Sequence, residues 1–362
     1  LDNKLEPEIR RHGERFIPKP LMKEWTQALT GYGHITAPHQ EQWGGLDMGW
    51  LTHLLIFEEI AYSSLDVAIP GFINAVGAEL IRRFAPETIK QRYLADLVAA
   101  EKFVSLGISE PDVGSDVAAI KTRAVRDGDF WVINGEKTWI TNGAYSDIFI
   151  CTCKTGENEV THILVDRDES EYEVRDIQKM ALNGQSTAQI FLSDCRVPVA
   201  NTIGRVGDGL RNTLQVFEIA RCHMAMWSIG IARRAMDEAI AYARDRAQHG
   251  KKIAGHQLIA DKIAIMATKI DAARLLTHRA ISLVQAGTRA ETECSMAKWY
   301  ATEMAIEATR DALQIHGGNG VTREFIVERL VREAIICPIP DGTTEIQKLV
   351  VSRALTGIQA FR

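Results

Sequence analysis

The period of the hydrophobic pattern changes twice along the chain. Up to about Glu101, apolar residues recur at helical spacing. Trp50 to Ser63 carries Leu51, Leu54, Leu55 and Tyr62 at such steps, and Ala75 to Phe84 and Thr88 to Ala100 continue the pattern. Pro86 is placed to begin the last of these helices, where its missing N–H is tolerated. A turn-rich stretch, Pro38 to Gly49, precedes them. From Lys102 to Asn212 the period is that of strands. Phe130-Trp131-Val132-Ile133 and Lys137-Thr138-Trp139-Ile140 flank Asn134-Gly135, which predicts a hairpin. Asp147 to Cys153, Val160 to Val165 and Thr187 to Leu192 read as further strands, and no helical stretch separates them. The middle therefore predicts a small barrel or sandwich of antiparallel strands. From Thr213 onward the chain is helical again. Ile259, Ile263, Met266, Ile270 and Ala273 recur at steps of three and four, and Leu214 to Gln248 and Glu291 to His316 predict long helices packed as a bundle. The expected class is α+β, with an N-terminal helical domain over 1–101, a middle β domain over 102–212 and a C-terminal helical domain over 213–362.

Composition narrows the class of protein. The 362 residues suffice for two or three packed units, and 46% hydrophobic with 25% charged residues is ordinary for a soluble globular chain. A formal net charge of −5 argues against nucleic-acid binding. No apolar run approaches the ~18 residues of a membrane span. Leu1 to Arg15 is charged and lacks the apolar middle of a secretory signal. The chain opens on Leu1, so a missing natural N-terminus is expected. Of six cysteines, Cys151 and Cys153 would share one strand face. No second close pair or nearby His completes a metal-ligand set, so no metal is expected, and the thiols read as buried small hydrophobes in a reducing cytoplasm.

Two segments carry candidate chemistry. Ser109-Glu110-Pro111-Asp112-Val113-Gly114-Ser115-Asp116 follows a predicted strand. Gly114 allows close approach of a ligand to the backbone, and Ser115 offers a hydroxyl and an amide. In the second, Trp139 and Thr141 would share a strand face, presenting an aromatic plane and a hydroxyl to a planar ligand. The alternatives are a plain turn and a buried core Trp.

Together these segments resemble the acyl-CoA dehydrogenase family. The resemblance continues through Arg246-Ala247-Gln248-His249-Gly250, Gln314-Ile315-His316-Gly317-Gly318-Asn319-Gly320 and Asp341-Gly342-Thr343-Thr344-Glu345, and covers nearly the whole chain in order. It implies a helical N-terminal domain, a middle β-barrel, a C-terminal four-helix bundle and a homotetramer. It also implies non-covalent FAD, an acyl-CoA substrate and an electron-transferring flavoprotein as acceptor. Position by position, Leu106, Ile108, Ser109, Gly114, Ser115, Trp139, Ile140 and Thr141 match the flavin-facing wall. Arg246, Gln248, His249, Gln314, Gly318, Thr343 and Glu345 match further FAD contacts, with Arg246 suited to the pyrophosphate. His249 stands where the family commonly has Phe, and Glu345 where it has Gln. Ser115, Glu218, Arg221, Gly342 and Arg353 match positions that hold the substrate. Read from the residues alone, Arg221 is a helix-surface ion pair with Glu218 at i, i+3.

Abstraction of a proton beside a thioester needs a carboxylate in place of the family's usual Glu before Gly-Thr. Asp341 stands there, one methylene shorter, between Pro338, Pro340 and Gly342. A shift of roughly 1 Å at such a site can cost ~100-fold in rate. The family's other location for the base, immediately before Arg221, is filled by Ala220. The second candidate is Asp66, whose segment lines the acyl pocket in the family. Read locally, Asp66 is instead the N-cap of the next helix. An acyl-pocket Asp combined with a lost Glu resembles the dehydrogenases of cyclohexane- and cyclohexene-carboxyl-CoA. Flavin oxidases of the nitroalkane type, which use Asp at this position, and a DNA-associated branch of the family are the alternatives.

Overall fold

A computed structural model describes residues 5–360; Leu1, on which the chain opens, lies outside them. Five helices come first: α1 (Leu5–His12), α2 (Lys19–Thr30), α3 (Gly49–Ser63), α4 (Leu65–Phe84) and α5 (Glu87–Val98). Pro86 stands at the N-cap of α5, one residue before the position expected for it. Eight strands follow: β1 (Val104–Gly107), β2 (Arg123–Asp127), β3 (Phe130–Thr141), β4 (Ile148–Lys154), β5 (Val160–Asp166), β6 (Glu173–Asp176), β7 (Thr187–Pro198) and β8 (Thr202–Ile203). The remainder is α6 (Gly209–Asp245), a short hairpin of β9 (Ala247–Gln248) and β10 (Lys251–Lys252), then α7 (Gln257–Gln285), α8 (Glu291–His316), α9 (Val327–Ile336) and α10 (Thr344–Thr356). No described helix is long and apolar enough to cross a membrane.

The large sheet runs β6-β7-β3-β2-β4-β5-β8, with β1 added on β4. Most pairings are antiparallel, but β1 and β2 both run parallel to β4, so the expectation of a purely antiparallel barrel is corrected in this detail. The sheet curls around one apolar core that includes Trp131, Ile133, Phe149, Ile163, Ile190 and Val197. β5 is buried along its whole length, its polar Thr161, His162 and Asp166 included.

The predicted hairpin at Asn134-Gly135 does not form. β3 passes straight through both residues, with a register shift against β7 between Ile133 and Gly135. Asn134 is tied to the neighbouring strand instead. Its Nδ2 donates to Asp194 Oδ1 at 3.0 Å, and its Oδ1 accepts from Asp194 N at 2.8 Å. The turn lies earlier, at Gly128-Asp129 between the paired Asp127 and Phe130, with Gly128 at φ 60°. Asp127-Gly128 carries the same hairpin signal as Asn134-Gly135, and strand pairing decided between them.

The chain forms two compact units. One joins residues 5–56 with Asp66–Phe217, and the other joins Phe57–Leu65 with residues 218–360. In the first, Asn74 stitches helix to strand: its Nδ2 donates to the carbonyls of Leu97 and Lys102, and Val104 N donates to its Oδ1. In the second, α8 packs against α7, α9 and α10. There Glu58, buried near the C-terminal half of α3, bridges Arg233 and Arg274.

Candidate active site

In the sheet-bearing unit, the loop after β1 is clamped from below. Glu110 and Val113 exchange two backbone hydrogen bonds around Pro111-Asp112. Lys137 in β3 is fully buried; its Nζ donates to Ile108 O at 3.0 Å and to Glu110 Oε1 at 2.8 Å. The Glu110 carboxylate also accepts from Lys121 N and Thr122 N. Burial pushes its proton affinity up, but Lys137 and these amides outweigh that and hold the carboxyl below its usual range. Ser109 and Thr138 exchange hydrogen bonds: Thr138 N donates to Ser109 O, and Ser109 Oγ donates to Thr138 O. Above this floor, Gly114 and Ser115 are exposed, and a side chain at Gly114 would meet only open space. Leu106 and Ile108 are half-buried.

Trp139 is not a core residue. It is 60% exposed and sits in a left-handed conformation, φ 66°, within a second register shift of β3 between Lys137 and Ile140. A bulge of this kind re-aims a side chain off the sheet. Thr141 is half-buried, while the Ile140 side chain lies in the barrel core, so only its main chain can face a ligand.

In the other unit, Arg246, Gln248, His249 and Gly318 line one cleft of about 590 Å³, together with Tyr242 and His256. Gln248 and Lys251 pair across a two-residue turn in which His249 (φ 51°) and Gly250 (φ 75°) are both left-handed. Arg246 is exposed and makes no ion pair among the described residues. Gln314 is exposed on the last turn of α8. Thr343 caps α10 by accepting from Ile346 N at 3.5 Å, and Glu345 is exposed in the first turn of that helix.

Asp341 lies on the connection from α9 to α10. It is half-buried, with a left-handed backbone (φ 55°) followed by Gly342 at φ 92°. Such a conformation costs a non-glycine residue about 1–3 kcal/mol and persists only where its surroundings impose it. Two buried side chains do so. Lys298 of α8 donates from Nζ to Pro338 O at 2.8 Å and Gly342 O at 2.6 Å, and Gln347 Nε2 donates to Asp341 O and Gly342 O. Burial raises the proton affinity of the Asp341 carboxyl, against the pull of Lys298 and Arg221. Burial also lowers Lys298, to about 8, with Asp341 as the largest opposing influence.

Arg221 is only 4% exposed. The surface ion pair with Glu218 is therefore ruled out: Glu218 is itself buried, pairs with Arg289 at 2.6 Å and accepts from Ala290 N at the start of α8. Arg221 donates one long hydrogen bond, 3.4 Å, to Ser295 Oγ, and its Nε has no partner among the described residues. Desolvation lowers its proton affinity. Arg353 donates to Glu291 at 3.3 Å.

Asp66 is not an N-cap. It lies inside the first turn of α4, 2% exposed, and its Oδ1 accepts from Gln185 N at 3.2 Å. The Gly184 backbone packs so closely on this carboxylate that an added Cβ would sit 2.6 Å from its carbon. Sequence reasoning missed Lys298, Gln347, Lys137 and Glu110. A signal for Lys298 was present: it falls within the apolar stripe of Cys294, Ala297, Ala301 and Ala305, where a solvent-facing lysine does not belong.

Profiles of the acyl-CoA dehydrogenase N-terminal, middle and C-terminal domains match residues 1–101, 105–195 and 207–356. The chain is 36% identical to a probable acyl-CoA dehydrogenase, YngJ, of Bacillus subtilis, over 89% of this chain and 87% of that one. It is 34% identical to the cyclohexane-1-carbonyl-CoA dehydrogenase of Syntrophus aciditrophicus (92% and 88% covered). It is also 34% identical to subunit CarC of the caffeyl-CoA reductase-Etf complex of Acetobacterium woodii (98% and 94%). Among solved structures, butyryl-CoA dehydrogenase of Megasphaera elsdenii superposes with a TM-score of 0.92 at 30% identity, covering 98% of this chain and 94% of that one. A glutaryl-CoA dehydrogenase of Mycobacterium smegmatis in complex with FADH2 gives 0.92 at 26% identity, covering 100% and 92%. The chain belongs to the acyl-CoA dehydrogenase family. It is an FAD-dependent oxidoreductase acting on CH–CH groups. The residues present fit that cofactor: an exposed, unpaired guanidinium at Arg246 suits a pyrophosphate, and the bulged, exposed indole of Trp139 suits a planar ring system.

Proposed function

We propose that the chain dehydrogenates a CoA thioester with a bulky or alicyclic acyl group, of the cyclohexane- or cyclohexene-carboxyl type, with Asp341 as the base. The observation that carries this is the setting of Asp341: a carboxylate of raised proton affinity on a loop that neighbouring side chains hold rigid. Its shorter arm leaves room that a Glu would fill, and the likeness to a cyclohexane-1-carbonyl-CoA dehydrogenase supports a ring substrate. Asp66 is the weaker candidate, because its carboxylate is engaged by the Gly184-Gln185 backbone.

Arg246, Gln248, His249, Gln314, Gly318, Thr343 and Glu345 would contact FAD. Leu106, Ile108, Ser109, Gly114, Ser115, Trp139, Thr141 and the main chain of Ile140 would face the flavin. FAD, when bound, supplies the acceptor for the hydride. Arg221, with Glu218, Ser115, Gly342 and Arg353, would position the thioester. A buried guanidinium with an unmet donor is suited to an anionic or carbonyl acceptor. An electron-transferring flavoprotein as acceptor is supported by the likeness to a subunit of an Etf complex. The same reading carries a homotetramer, a cytoplasmic location consistent with six free buried cysteines, and domain boundaries near 101 and 212.

The test is anaerobic flavin bleaching with linear and cyclic acyl-CoA thioesters, by wild type, Asp341→Asn and Asp66→Asn. Bleaching by ring thioesters that stops only in Asp341→Asn supports the proposal. Full activity in Asp341→Asn removes the base assignment, and bleaching by nitroalkanes alone points to a flavin oxidase.

A further inference from the structure

Lys298 is fully buried in the N-terminal half of α8, and its ammonium spends two donors on the carbonyls of Pro338 and Gly342. These carbonyls bracket Pro340 and Asp341, so the lysine grips the loop on both sides of the carboxylate without binding it. Among the described residues no ion pair within 4.0 Å joins Lys298 to Asp341. Direct contact would turn the carboxylate into half of a salt bridge and spoil it as a proton acceptor. A cation held back from the carboxylate still favours its ionised form through a low-dielectric interior. The left-handed backbone of Asp341 gives this grip something to hold, since the conformation persists only where contacts impose it.

We infer that Lys298 is a positioning residue for the dehydrogenation: it fixes where the Asp341 carboxylate points and stabilises its ionised state. This rests on the reading of Asp341 as the base. The charged and titratable groups facing Lys298 are Asp341 and Cys337, Arg221 from α6 and Glu303 from α8; those facing Asp341 are Lys298 and Arg221.

The experiment compares Lys298→Met and Lys298→Arg with wild type as FAD-loaded enzyme. FAD content and circular dichroism establish folding, followed by the pH profile of anaerobic flavin reduction and the Kd of the acyl-CoA. Lys298→Met is expected to slow reduction about 100-fold, as a misplaced base does, with substrate Kd nearly unchanged. The acid limb of its profile should move to higher pH, because the carboxylate loses a neighbouring cation. Lys298→Arg keeps the charge and should hold the limb near its wild-type position while the rate still falls, since a planar fork cannot occupy the site of a compact ammonium. A folded Lys298→Met with wild-type rate and acid limb overturns the inference. Should Lys298→Met not fold, Lys298→Arg decides: wild-type rate there overturns it. Asp341→Asn measured alongside separates the two levels. Its full activity removes the base reading, whereas an inactive Asp341→Asn beside an indifferent Lys298→Met removes only the role of Lys298.

Discussion

Lys137 and Lys298 are both fully buried, both donate to loop carbonyls, and each has a carboxylate for company, yet the carboxylates differ in kind. Glu110 is bonded to its lysine at 2.8 Å and to two backbone amides, and its proton affinity falls. Asp341 has neither among the described residues, and its proton affinity rises. Burial acts upward on each, so the difference comes from who reaches the oxygens. A carboxylate surrounded by donors is a strut, and one left without them is suited to act as a base. The comparison also bears on Asp66, which accepts from a backbone amide as Glu110 does.

The largest effects should separate the two lysine sites outright. Asp341→Asn is expected to cost about 10²–10⁴-fold in flavin reduction with little change in unfolding temperature. Glu110→Gln should instead destabilise the protein by about 3–5 kcal/mol, the cost of leaving a buried charge unpaired. Denaturant unfolding and stopped-flow reduction of the same two variants check this, and a reversed pattern would break the comparison.

Acid should act next, and on the unit that holds Lys137. His34, His39 and His162 are buried there and lowered by burial from 6.5 to about 4. The unfolded chain therefore binds more protons than the native one between these values. Stability is full above 6.5 and is lost as pH falls toward 4, by up to about 3 kcal/mol per histidine. Thermal unfolding followed across pH 4–7 should show this slope, and His162→Gln should reduce it by one proton's worth.

Arg246→Ala should weaken FAD binding by roughly 1.5–3 kcal/mol, the range for a hydrogen bond to a charged group, while leaving CoA affinity alone. Flavin titration of the apoprotein measures it. The smallest change is expected from Asp341→Glu, which keeps the carboxylate and lengthens its arm. Linear acyl-CoAs should still be turned over, because the carboxylate remains and Glu is the usual base of the family at this position, whereas ring substrates should lose up to about 100-fold to a displacement of roughly 1 Å. Equal effects on both would remove the link between the short arm and a bulky acyl group.

Much of the scaffold was legible from periodicity, and α8 was bounded to the residue, because long amphipathic patterns carry their own ends. Asp341 was legible as a motif position. Lys298 and Lys137 were not, because a lysine in a helix or strand reads as solvated until tertiary packing covers it. The same holds for Arg221, whose i, i+3 neighbour suggested a surface pair. Trp139 was legible as a candidate residue, but its exposure depends on a bulge, and a bulge is set by the partner strand. Asn134-Gly135 failed for the same reason.

That last pair has a consequence for how the protein ages. Asparagine before glycine is the dipeptide most prone to spontaneous deamidation, because the unhindered glycine nitrogen can close on the side-chain amide as a succinimide. In the fold, both ends of the Asn134 amide are tied to Asp194 and its backbone is held in β3, so the ring-closing geometry is out of reach. Conversion to isoaspartate at Asn134 should thus be slow in native protein and fast once β3 and β7 part. Peptide mapping after prolonged incubation would then record how long each molecule has spent unfolded.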